Sequence, residues 1–174
     1  MNRLALFLVI LIGAFACRNR NGTDQFRSSI EQVLEKQEGT FAVAFRDLTT
    51  GETLLINEHQ PFHAASTMKT PVMVEVFKQA ASGKFNLTDS VLIKNEFNSI
   101  VDGSPYSLHP EDDSEQALYR AAGHQRSLLS LLRDMIVSSS NLATNIVIEK
   151  VGAKNVTQTL REDVGAKNMN VLRG

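Results

Sequence analysis

The chain has no tryptophan, a single cysteine and only four prolines among its 174 residues. One cysteine excludes an intrachain disulfide framework. A long hydrophobic run is missing: the apolar stretch from Leu4 to Ala16 falls short of the roughly 20 residues that a membrane-spanning helix needs. An excess of one charge sign is missing as well, with 18 Lys and Arg against 19 Asp and Glu and a net charge of −1. Without a Lys/Arg stripe no nucleic-acid partner is indicated. The four histidines, His59, His63, His109 and His124, lack a metal-ligand spacing such as H-x-x-x-H, so no metal is expected. His63, close to Ser66, reads as a strand-end or loop residue. What is present, 43% hydrophobic residues, suits one modest globular domain.

The short apolar run has a use of its own. Arg3 precedes it, and together they have the form of a signal peptide over residues 1–16, which is set aside from the fold. "GAFAC" reads either as an A-x-A cleavage site or as a loose lipobox in which Cys17 becomes lipidated. The lone cysteine, placed where a bacterial lipoprotein carries its modified residue, favours the lipobox. Residues 17–25 then form a polar tether, and 26–174 the domain. The expected location is exported, facing the periplasm, with membrane contact only through the signal peptide or lipid anchor.

Periodicity divides the remainder. Ile30, Val33 and Leu34 at helical spacing predict a helix over Ser28–Gln37 that Gly39 ends. "TFAVAFRDL" alternates, with Phe41, Val43 and Phe45 on one face, and "TLLIN" follows a "TTGE" turn, so Thr40–Asn57 predicts a hairpin. From Ser66, "TMKTPVMVEVFKQAASG" is apolar on nearly every side and predicts a buried helix with an irregular first turn at Pro71. Lys94–Gln125, rich in Gly, Pro, Ser and Asp, reads as a long surface loop with a short helix around Gln116–Ala122. In it the carboxylates of "PEDDSE" lack an EF-hand's glycine and terminal glutamate and read as solvated. "SLLSLLRDMIV", "LATNIVIEKVG" and "AKNVTQTLREDVG" predict three further helices, the first two separated at "SSSN".

Two motifs carry candidate chemistry. In "AASTMKTPV" Ser66 and Lys69 stand three residues apart, which puts a hydroxyl and an amine on one helical face. Desolvation by the apolar residues that follow lowers a lysine's proton affinity, and only the neutral amine can accept a proton from serine. The plain alternative is an N-cap serine beside an exposed lysine. In "VSSSNLATN", Ser139 can pass a proton onward and Asn141 can hold a substrate amide. Its plain alternative is capping at a helix junction.

Together, an S-x-x-K opening a buried helix after a β-hairpin and an S-x-N between two helices resemble the class A serine β-lactamases and the penicillin-binding proteins beside them. The likeness runs from about Ser28 to the last residue. It implies an α/β (α+β) fold: a helical domain plus the N-terminal hairpin of an antiparallel sheet, with the C-terminal strands absent from this chain. It also implies that Ser66 is the acylated nucleophile, Lys69 its general base, Ser139 the proton relay and Asn141 a substrate-amide binder. Asn145 matches the asparagine that braces the loop carrying the deacylating glutamate. The centre of the usual S-D-N is Ser140 here, which removes a buried carboxylate. The Lys94–Gln125 loop looks expanded, so substrate preference does not transfer.

The family's glutamate and its K-T-G strand would both fall beyond Gly174, so the chain reads as the N-terminal part of such a protein, a fragment or an early stop. Glu162 and Asp163, inside "TLREDVG", read as a solvated face rather than as substitutes. The resemblance implies a monomer that opens a small-molecule β-lactam through an acyl-serine, with no cofactor. The 174 residues alone are expected to turn over little and to aggregate through an unpaired hairpin edge and an uncovered helix face. A slowly acylating D-Ala-D-Ala-directed protein and a non-catalytic lipoprotein are the competing expectations.

Overall fold

The computed structural model describes residues 24–171. The signal segment, Cys17 and the tether up to residue 23 lie outside the described residues. The fold is mixed α/β, mostly helical with small antiparallel sheets, in two compact units that meet in sequence between His63 and Ala64.

In the first unit a helix α1 runs through residues 24–34. It already includes Asp24 and Gln25, which composition placed in the tether, and it stops short of the expected Gln37. Arg27, Ile30, Glu31 and Leu34 form its partly covered stripe, whereas Val33 is 59% exposed and faces away from it. Arg27 pairs with Glu31 at 3.0 Å and donates from Nη2 to Leu55 O at 2.5 Å. The expected hairpin forms from β1 (Val43–Arg46) and β2 (Thr53–Ile56), in antiparallel register Val43 to Ile56 through Arg46 to Thr53. Its turn is made by Asp47, whose Oδ1 accepts from Thr49 N at 2.7 Å and Thr50 N at 2.9 Å, while Gly51 supplies the φ of 77° that a side chain disfavours. On β2 the alternation is sharp, with Leu54 and Ile56 buried and Leu55 exposed. Phe45 is exposed, contrary to the single apolar face expected for β1.

The second unit is built on helices. A 3-10 turn (Ala65–Met68) leads into α2 (Lys69–Ala81), so the first turn ahead of Pro71 is irregular as the sequence predicts. Pro71 costs little there, because the first N–H groups of a helix have no intrahelical partner. Only one side of α2 is covered: Lys69, Val72, Glu75, Val76 and Gln79 are buried, whereas Val74 is 44% and Phe77 46% exposed. The expectation of burial on nearly every side is therefore corrected.

The stretch read as a surface loop is more ordered than its composition indicates. β3 (Ser90–Leu92), just before the stretch, pairs with β6 (Gln125–Ser127), which begins at its last residue, and inside it β4 (Phe97–Asn98) pairs with β5 (Pro105–Tyr106). A 3-10 turn (Pro110–Asp112) precedes the short α3 (Ala117–Arg120), which lies within the expected Gln116–Ala122. Three helices follow: α4 (Leu128–Val137), α5 (Asn141–Val151) and α6 (Ala153–Glu162). Ser127 caps α4 by accepting from Ser130 N at 3.2 Å. Gly152, at φ 82°, separates α5 from α6, and a Cβ there would meet the Asn155 side chain at 3.0 Å.

α5 is the central element, with every residue from Leu142 to Ile148 buried. Around it pack Val72 and Val76 of α2, Leu128, Leu131, Leu132 and Met135 of α4, and Val156 and Leu160 of α6. Each such fully buried side chain is worth about 1.5–3 kcal/mol of transfer free energy. One polar network crosses this layer: the Glu75 carboxylate accepts from Gln79 Nε2 at 2.7 Å and from Thr159 Oγ1 at 2.6 Å, tying α2 to α6. The packing of α2 against α5 brings the start of one helix to the start of the other.

Candidate active site

The two sequence motifs meet at those helix starts. In a 3-10 turn residues three apart eclipse, so Ser66 and Lys69 lie on one side of the backbone. The Ser66 side is open to solvent, while Lys69 is only 4% exposed. Lys69 is thus not the exposed lysine of the capping alternative. Ser66 is preceded by Ala65 at φ 46°, and Ser139 itself sits at φ 54°. A non-glycine residue in the left-handed region costs about 1–2 kcal/mol, and such costs concentrate at functional sites.

Lys69 Nζ donates to Ser139 O at 2.6 Å, to Ser139 Oγ at 2.9 Å and to Asn141 Oδ1 at 3.2 Å. Ser139 Oγ in turn lies 3.1 Å from Ser66 Oγ. A hydrogen-bonded chain therefore runs from an exposed hydroxyl, through a second hydroxyl, to a buried amine. Asn141 is held at its other end by Asp112, whose carbonyl accepts from Nδ2 at 3.1 Å.

Asn145, one turn further along α5, donates from Nδ2 to Asn141 O at 2.9 Å and accepts from Tyr106 OH at 2.8 Å. It lines a cavity of about 260 Å3 with Phe97, Tyr106, Ile148 and Glu149. Tyr106, a residue of the supposed loop, carried no signal for this contact in the sequence. Glu162 and Asp163 are engaged elsewhere: Glu162 accepts from Gln158 Nε2, and Asp163 pairs with Lys78 at 2.6 Å. Cys17, the expected lipidation site, lies outside the described residues.

One neighbour of the site contradicts its sequence reading. Asp113, expected in a solvated loop, is 6% exposed. Its Oδ2 accepts from Leu142 N at 2.8 Å, Tyr119 OH at 2.9 Å and Ser140 Oγ at 3.4 Å, and its Oδ1 from Glu115 N at 3.1 Å. Burial alone would raise its carboxyl, but the N–H groups of Leu142, Glu115 and Asn141 and the Tyr119 hydroxyl outweigh burial and hold it below the ordinary aspartate value. Ser140, fully buried, also accepts from Ala143 N at 3.1 Å. The opening turn of α5 is thereby capped by one serine and one distant aspartate.

No curated protein matches the chain significantly. Among solved structures it is similar to PBP-A, with 25% identity and a TM-score of 0.66 over 86% of this chain and 52% of that one. A mutant of PBP-A in an acyl-enzyme complex with penicillin G matches at 26% identity and TM-score 0.67, over 86% and 53%. A β-lactamase from Sphaerobacter thermophilus matches at 26% and 0.65, over 84% and 51%. The chain spans about half the length of these structures. The profile described as the β-lactamase enzyme family matches residues 25–173, and to that family the chain belongs.

Proposed function

We propose that the chain carries the acylation site of a class A β-lactamase-type serine hydrolase, with Ser66 as nucleophile, Lys69 as base, Ser139 as relay and Asn141 as the group that binds the substrate amide. The observation that supports it most is the chain Ser66 Oγ to Ser139 Oγ to Lys69 Nζ, at 3.1 and 2.9 Å. In the first step Ser66 Oγ bonds to the β-lactam carbonyl carbon and its proton passes through Ser139 Oγ to Lys69, which for this step is a free amine with its two N–H groups on Ser139 O and Asn141 Oδ1 and its lone pair toward Ser139 Oγ. The carbonyl–nitrogen bond then breaks, the ring nitrogen takes that proton back along the same path, and an ester on Ser66 remains. Water completes the cycle in the whole protein by converting the ester to a free acid and restoring the Ser66 hydroxyl. No organic cofactor enters the scheme.

A penicillin-binding protein that acylates and releases slowly is the second reading, and the similarity to PBP-A favours weighing it. A fluorescent penicillin tests the first step. Covalent labelling that disappears in Ser66→Ala is expected, and a folded protein that takes no label would leave a non-catalytic lipoprotein. Turnover of a chromogenic cephalosporin then separates fast hydrolysis from a persistent ester.

A further inference from the structure

We propose that Asp113 is a positioning residue of this site: its buried carboxylate grips the start of α5 and so holds Ser139 and Asn141 against Lys69. The inference rests on the acylation reading above. Position 140 carries a hydroxyl where the S-D-N motif would carry a carboxylate, and the carboxylate lying against that hydroxyl belongs to Asp113, 27 residues earlier in the chain and just ahead of α3.

Three observations give the grip its direction. The groups that Asp113 holds, Ser140 Oγ and Leu142 N, flank Asn141 on both sides. The adjacent Asp112 fixes the Asn141 side chain through its carbonyl, leaving Oδ1 turned to Lys69. Ser139, immediately before the gripped residues, holds a left-handed backbone that it would leave if unsupported. Of the first N–H groups of α5, Leu142 is satisfied by Asp113 and Ala143 by Ser140. Removing the carboxylate therefore frees the two residues that present all three acceptors to the amine, while the apolar faces of α4 and α6 stay packed. A capping role alone would stabilise α5 without fixing Ser139, which lies outside the helix.

The experiment compares the full chain with Asp113→Ala and with the exchange Asp113→Ser plus Ser140→Asp, which moves the carboxylate across the contact. Acylation by the fluorescent penicillin should slow about 10–100-fold in Asp113→Ala, the size expected when a reacting group is misplaced by an ångström. The exchange should recover most of that loss. Amide hydrogen exchange supplies a second readout that needs no activity. In Asp113→Ala it should rise about ten-fold or more over residues 139–145, with the peptides of α4 and α6 within about two-fold of the parent. Acylation of Asp113→Ala within about three-fold of the parent would overturn the proposal. So would failure of the exchange to recover the rate, or a uniform rise in hydrogen exchange. If the parent protein takes no label, the acylation reading fails by itself, and the local exchange pattern still decides whether Asp113 positions this segment.

Discussion

Ser139 offers a perturbation in which chemistry and stability separate. Its Oγ connects Ser66 to Lys69, and its φ of 54° is a conformation that alanine resists and glycine accepts. Ser139→Ala and Ser139→Gly both delete the relay hydroxyl, so both should slow acylation by the 10²–10⁴-fold typical of a lost proton-transfer group, roughly. Both also leave Lys69 with one acceptor fewer, a cost common to the two variants. They differ in backbone strain. Alanine retains the left-handed cost of about 1–2 kcal/mol, and glycine sheds it while forfeiting about 0.4–1 kcal/mol through the freer unfolded chain. Glycine should therefore be the more stable by about 1 kcal/mol, or about 2–4 °C in Tm for a chain of this size. Urea melts and penicillin-acylation rates on the two variants and the parent measure both quantities. Acylation of Ser139→Ala at near the parental rate would refute the relay. A glycine variant no more stable than the alanine one would refute the strain.

Other outcomes follow from the same contacts. Glu75→Ala should cost about 2–4 kcal/mol in a urea melt, because Thr159 loses its carboxylate acceptor and Gln79 one of its two partners inside the α2–α6 layer. Because the Asp113 carboxyl is held below its ordinary value of 3.8, the stability it contributes is complete above that value and is lost as pH falls through the lower folded value. Melting temperature should therefore drop on acidification below about pH 4, and Asp113→Asn should flatten that drop. Lipidation at Cys17 predicts that the protein expressed in bacteria fractionates with membranes and that Cys17→Ser moves it to the soluble fraction.

Much of the fold was legible in the sequence. The β-rich "TLLIN" after its turn was readable as the second strand of a hairpin, whereas the burial of Leu54 and Ile56 rather than Leu55 was set by which face of the alternating strand is covered. The helical spacing in "SLLSLLRDMIV" reads Leu128, Leu131, Leu132, Met135 and Ile136 as one apolar stripe, of which the first four are in the core and Ile136 is exposed, against that reading. The Lys94–Gln125 stretch was misread because the strands inside it, Phe97–Asn98 and Pro105–Tyr106, are only two residues long. Segments that short carry no periodic signal. Val33, Val74 and Phe77 were misassigned for a different reason. A run of apolar residues states a preference for burial, and the available neighbours decide which of them obtain it.

The candidate site divides along the same line. Local geometry sets Ser66 and Lys69 on one side of the backbone, since three residues of helical backbone suffice for that, and Ser140 and Asp47 act on N–H groups two or three residues away. Such short-range hydrogen bonding and apolar spacing are properties of the chain itself, and they were readable before any packing was known. The contact of Ser66 with Ser139 spans 73 residues, that of Lys69 with Asn141 spans 72, and that of Asp113 with Leu142 spans 29. These follow from how α2, α4 and α5 lock their apolar faces together, which is a matter of complementary shape among distant side chains. For that reason the same aspartate that composition assigns to solvent is buried at the opening of α5.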